Sequence, residues 1–220
     1  MTAAAIVFDP DTHTSRTPDG RDVPHVTTVL KAVGLTTNYG ELGAISARVA
    51  ENILVARARG DAMHADCHAY DDDDLVWDSV DPMVRPYVAA WATCRENMGL
   101  VPVVRERQVY HPLYHYTGIM DGIFARTNMP DDWRVLLDLK SGDPDDAAAH
   151  LQTAAYEGAY LAEHPNARID ERWAVWLRPG LRVPYRTINY TARPEAYLDF
   201  RKFTAALTTY NEQPARRRKV

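Results

Sequence analysis

The stretch Val135-Leu136-Leu137-Asp138-Leu139-Lys140 constrains this chain more than any other. It is an aliphatic run with one carboxylate inside it, followed by Ser141-Gly142-Asp143-Pro144. That pattern is a buried strand ending in a turn. An ionised aspartate on a core strand is costly unless a cation or a set of donors receives it. Asp138 and Lys140 are two apart, so on a strand their side chains share a face. A second carboxylate, Asp121, lies in another strand-like stretch with Gly118-Ile119-Met120 before it. Two carboxylates and an ammonium converging on one spot suit a divalent metal with a neighbouring base or charge stabiliser. Taken alone, an Asp-x-Lys pair at a strand end is more often a solvated salt bridge. The ordered succession of Gly-x-x-Asp, Asp-x-Lys-Ser-Gly and then Gln152-x-x-x-Tyr156 favours the metal reading.

The rest of the chain supplies elements around that strand. Residues 6–26 alternate apolar and polar groups about Asp9-Pro10-Asp11 and Pro18-Asp19-Gly20, which predicts a small hairpin. Val26 to Leu30 opens a short helix ending near Gly34. Helix formers dominate residues 41–59, with Ile45, Val49, Ile53 and Leu54 at helical spacing, and Gly60 divides this helix from a second one reaching Tyr70. On the second helix His64 and His68 are four apart and share a face. Asp71 to Asp74 reads as a solvated acidic loop. A helix over 81–97 follows, with Val84, Val88, Trp91 and Ala92 as its buried stripe and Met98-Gly99 ending it.

Three strands are predicted over 101–111, 114–125 and 133–140, forming a mostly antiparallel meander. Glu106 and Asp121 sit on the first two, the Asp-x-Lys pair on the third, and His111 and His115 are exposed at the first turn. Residues 145–163 form a helix with Asp145 and Asp146 in its first turn, where its dipole favours negative charge. Gln152, Tyr156 and Tyr160 line one face of it. A buried glutamine amide needs partners, so Gln152 on that stripe asks for more than packing. Two further strands surround Pro179-Gly180, and a helix over 194–211 carries Tyr197, Phe200, Phe203, Leu207 and Tyr210.

These motifs resemble the PD-(D/E)XK nuclease superfamily, and within it the RecB-like exonucleases found in phage recombination systems. The family's first motif aspartate matches Asp121, its (D/E)XK pair Asp138 and Lys140, and its Gln-x-x-x-Tyr motif Gln152 and Tyr156. RecB-like members add a metal-binding histidine preceded by glycine, which Gly60-Asp61-Ala62-Met63-His64 fits. Many carry a glutamate on the strand before the first aspartate, matched by Glu106. Residues 23–30, Val-Pro-His-Val-Thr-Thr-Val-Leu, are similar to an N-terminal feature of phage nucleases of this type.

The resemblance implies an α/β (α+β) core, a central mixed sheet flanked by helices. It implies a Mg²⁺- or Mn²⁺-dependent DNA nuclease, an exonuclease of recombination or DNA processing. The metal would be held by His64, Asp121, Asp138 and the backbone carbonyl of Leu139. Lys140 would act on the attacking water, with Glu106 assisting. Gln152, Tyr156 and Tyr160 would contact DNA or the shell of the metal site. DNA, single- or double-stranded, is the implied partner, with a single-strand annealing or recombination protein beside it, and toroidal oligomers occur among related exonucleases. The implied location is the cytoplasm, of the host cell for a phage-encoded protein. Two rivals remain open from sequence: a DNA-binding recombination partner with a degenerate nuclease fold, and a zinc-binding structural protein using His64, Cys67 and His68.

Composition bounds the rest. The 220 residues suit one domain, with a hairpin and short helix over 1–40, a helical part over 41–100, the sheet core over 101–190 and a final helix with a basic tail over 191–220. No run approaches the length of a membrane span. Two cysteines, Cys67 and Cys94, are too few for a disulfide framework or a four-cysteine iron–sulfur cluster. The net charge of −5 is unevenly spread: residues 168–220 carry 12 Lys and Arg against 5 Asp and Glu, a net of +7, and the first 167 carry 13 against 25, or −12. A basic flank of that kind holds phosphates beside an acidic remainder that holds metal or water. The tail Arg216-Arg217-Arg218-Lys219 extends it.

Overall fold

A computed structural model describes residues 6–9, 14–36, 47–142 and 148–213. The turn at residues 10–13, the start of the helix expected from residue 41, Asp145 and Asp146, and the basic tail lie outside the described residues. The fold is mixed α/β, a five-stranded mixed sheet with helices on both faces.

The sheet has the order β4-β5-β6-β7-β8, with β4 Leu100–His111, β5 Tyr116–Arg126, β6 Val135–Lys140, β7 Glu171–Leu177 and β8 Tyr185–Asn189. The first three strands form the expected antiparallel meander. β7 then pairs parallel to β6. A parallel neighbour needs a crossover, and helix α4, Ala149–Glu163, provides it. This central position explains why residues 172–177 are all buried: β7 is covered on both faces. β4 lies at the edge, where Pro102 removes no ladder bond the sheet needs, and a bulge falls between Pro102 and Val104.

One face is covered by α1 (Val26–Ala32), α4 and α5 (Asp199–Glu212), which bury Val29, Ala155, Tyr156, Phe203 and Tyr210 against Val109, Met120 and Leu136. The other is covered by α2 (Ala47–Asp71) and α3 (Arg85–Met98), which bury Met63, Cys67, Val88 and Trp91 against Phe124, Val135, Leu137 and Leu139. Each large apolar side chain fully buried this way contributes about 1.5–3 kcal/mol. Along β6 the alternation is strict: Leu136 faces the α4 side, and Val135, Leu137 and Leu139 face the α2 side. A small sheet β1-β2-β3 (Val7–Asp9, Thr14–Arg16, Asp22–Val23) joins the main body through a bridge between His25 and Thr117.

Four expectations need correction. Gly60 does not divide two helices; α2 runs unbroken for 25 residues. An interior glycine costs only about 1 kcal/mol relative to alanine, which a long packed helix absorbs. Leu54, expected on a buried stripe, is 66% exposed. Asp71 is not part of a solvated acidic run: it ends α2 buried, its Oδ1 receiving Trp91 Nε1 at 2.9 Å and Arg95 Nη1 at 2.8 Å, and Asp72 to Asp74 alone are exposed. His111 is buried, its Nδ1 accepting the Leu113 and Tyr114 amides and its ring stacked on Phe200; His115 is exposed as expected. Among the described residues no helix is long and apolar enough to cross a membrane.

Candidate metal centre

The site is built where β5 and β6 part. Their ladder runs from Phe124 opposite Val135 to Gly122 opposite Leu137. The next opposed pair by that register is Asp121 and Asp138. Instead of continuing the ladder, Asp121 turns its carboxylate into the gap, where Oδ2 receives the Leu139 backbone N–H at 2.6 Å. Leu139 therefore enters the site through its N–H.

On the α2 side, the i, i+4 spacing of His64 and His68 points both rings at Asp121. His64 Nδ1 stands 3.1 Å and His68 Nε2 3.6 Å from Asp121 Oδ1. Glu106 sits opposite Asp121 in the β4–β5 register, flanked by the pairs Arg105–Gly122 and Arg107–Met120. Two carboxylates directly across a ladder repel. His68 separates them, its Nδ1 lying 3.1 Å from Glu106 Oε2. His68 is buried, 7% exposed.

On the α4 side, Asp138, Lys140, Gln152 and Tyr156 form a closed network. Lys140 Nζ is 2.8 Å from Asp138 Oδ2 and donates to Gln152 Oε1 at 2.8 Å. The Gln152 amide donates to Asp138 Oδ1 at 3.0 Å and to the Tyr156 hydroxyl at 2.9 Å. The glutamine that packing could not explain thus has both its N–H donors and its carbonyl oxygen engaged. Tyr160 is a turn further along, with its ring against His164 and beneath Arg107. It joins none of these contacts.

The two buried aspartates are driven apart electrostatically. Burial pushes the Asp121 carboxyl up, but the charges and contacts of His64 and His68 outweigh it and hold Asp121 below the usual carboxylate range. Asp138 moves the other way: burial raises it, Lys140 opposes, and the neighbouring Asp121 charge adds to the rise. For both histidines burial disfavours the proton, yet Asp121 wins and their pKa values are raised. Opposite shifts on adjacent acids mark sites built for charge handling.

His64, His68 and Asp121 each place one ligand atom within 4.8 Å of the others. Both ring nitrogens of His68 are buried without an aligned hydrogen bond. Such groups are satisfied by a cation, and two imidazoles with carboxylates are a sound donor set for a divalent one. Asp138 stands beside this cluster, engaged by Lys140 and Gln152. Cys67 does not join it: the thiol lies among Met63, Val88 and Trp91, and burial raises its pKa far above the ordinary range. A His-x-x-Cys-His zinc site is therefore not what the helix assembles.

The i, i+4 spacing of His64 and His68 is visible in the sequence, but nothing in the sequence signals the burial of Asp71. No protein-family model matches the chain, and no curated protein matches its sequence.

Proposed function

We propose that this chain is a divalent-metal-dependent deoxyribonuclease of the PD-(D/E)XK type, hydrolysing phosphodiester bonds, with exonucleolytic cutting as its expected mode. One observation carries the reading: where β5 and β6 part, Asp121 meets His64 and the Leu139 N–H, and the hydrogen-bonded network of Asp138, Lys140 and Gln152 stands beside it. A salt bridge at a strand end has no need of a buried glutamine locking both partners.

In this reading His64, Asp121 and Asp138 would hold the ion, which would lower the pKa of a bound water and offset charge on the phosphate. Lys140 is the group that acts on the attacking water. Gln152 fixes the direction of Nζ, and Tyr156 fixes Gln152. Such positioning of a reacting group is itself a large part of catalysis. The basic C-terminal quarter of the chain supports DNA as the substrate. Lys140 pairs laterally with Trp176, and Trp176 with Arg186. The exposed Arg186 thus lies two strands from Lys140, about 10 Å, on the same face. Arg178 and Arg182 are exposed close by in the chain, a run suited to phosphates.

End-labelled single- and double-stranded DNA incubated with Mg²⁺, Mn²⁺ or chelator tests this. Cleavage should require metal and fall by about 10²-fold or more in Lys140→Ala and Asp138→Ala, with circular dichroism unchanged. A wild type that leaves every substrate intact with both ions refutes the proposal.

A further inference from the structure

We infer that His68 is a second nitrogen ligand, so that the centre is a two-histidine, one-carboxylate site selecting a first-row transition cation over Mg²⁺. This deepens the nuclease reading and rests on it only for the site's catalytic use; ion binding itself is measured without DNA.

The geometry is that of ligands around one ion. Two ligands at right angles on an ion with bonds of about 2.1 Å stand about 3 Å apart. His64 Nδ1 and His68 Nε2 lie 3.1 and 3.6 Å from the same oxygen, Asp121 Oδ1. The second distance is too long for a hydrogen bond, and Nε2 is buried with no other partner. Burying an imidazole nitrogen in that condition is unfavourable unless something receives its lone pair. Glu106 decides which nitrogen is available. Its Oε2 is 3.1 Å from His68 Nδ1, so with an ion on Nε2 the remaining ring proton would face Glu106. A carboxylate behind a ligating histidine sets its tautomer and raises its basicity in this way. Glu106 is therefore a positioning residue for the ion.

The donor set then decides the ion. Mg²⁺ prefers oxygen ligands and dehydrates reluctantly, and each nitrogen in its shell replaces a better oxygen. Imidazole suits the transition cations. One histidine leaves the choice open, but two bias it.

Mn²⁺ is the probe, added to the purified full-length chain without DNA. Pulsed electron paramagnetic resonance should find two imidazole nitrogens on the bound ion in the wild type and one in His68→Gln or His64→Gln. A tenfold excess of Mg²⁺ should not displace it, and His68→Gln should weaken Mn²⁺ at least tenfold with Mg²⁺ binding nearly unchanged. The wild-type spectrum needs no variant to fold. One nitrogen or none in that spectrum, or Mg²⁺ competing on equal terms, overturns the inference. A protein that binds Mn²⁺ through two nitrogens yet cuts no DNA upholds this inference and refutes the nuclease. One that cuts DNA with a single-nitrogen ion does the reverse.

Discussion

Gly118 supports the candidate site from behind, and replacing it with alanine tests how tightly the core holds the chemistry. A Cβ at Gly118 would fall well inside van der Waals contact of Tyr156 Cε1, and would stand 3.0 Å from Tyr156 Cδ1 and 3.3 Å from Val26 Cγ2. Ordinary carbon contacts lie at roughly 3.5–4.0 Å, so the tyrosine ring must withdraw by about 1 Å. It has little room to do so, being 3% exposed within the cluster that joins α1, α4 and β5. Overpacking of this kind costs about 1–3 kcal/mol of stability. The displacement also reaches the site, because the Tyr156 hydroxyl receives Gln152, and Gln152 holds both Asp138 and Lys140. A reacting group misplaced by about 1 Å loses about 10²-fold in rate. Gly118→Ala should therefore lower the urea midpoint and cut kcat of the proposed nuclease reaction by about two orders of magnitude. Gly142→Ala is the control, because a Cβ there meets nothing within 4 Å. A Gly118→Ala protein with wild-type midpoint and wild-type kcat would show that Tyr156 does not transmit packing to the site.

Two further predictions concern stability. Burial lifts the Asp71 carboxyl to about 6 from 3.8, despite Arg95 and Trp91. Between those values the native state keeps a proton that the unfolded chain has released, so stability falls as pH rises through that window, by about 3 kcal/mol in full. Urea unfolding at several pH values should show this decline in the wild type and its loss in Asp71→Asn; parallel curves would disprove it. Arg172, 2% exposed, is held by Asp199 at 3.1 Å and Glu157 at 3.0 Å, and Asp199 also meets Arg193 at 3.3 Å. Asp199→Ala strands a buried guanidinium and should cost about 3–5 kcal/mol. A loss under about 1 kcal/mol by urea titration would mean that Glu157 and the nearby carbonyls suffice.

The strands and helices that carry Asp121, Asp138, Lys140, Gln152 and His64 were legible in the sequence, because period-two and period-3.6 patterns are local properties. Turn residues fixed the order of the meander, and Gly99, with its left-handed backbone, ended α3 as its position implied. The unexplained amide of Gln152 already announced a polar network.

Which face of a helix meets the sheet is not local, and there the pattern ran out. His64 and His68 share a stripe in sequence, but only the packing of α2 against β4 and β5 buries His68 between Glu106 and Asp121. The same docking takes Asp71 out of solvent through Trp91 and Arg95, twenty and more residues away along the chain. Sequence thus set the residue types and their spacing along each element. Tertiary structure alone set which charges face each other across elements, because that depends on register and docking angle, which no single segment encodes.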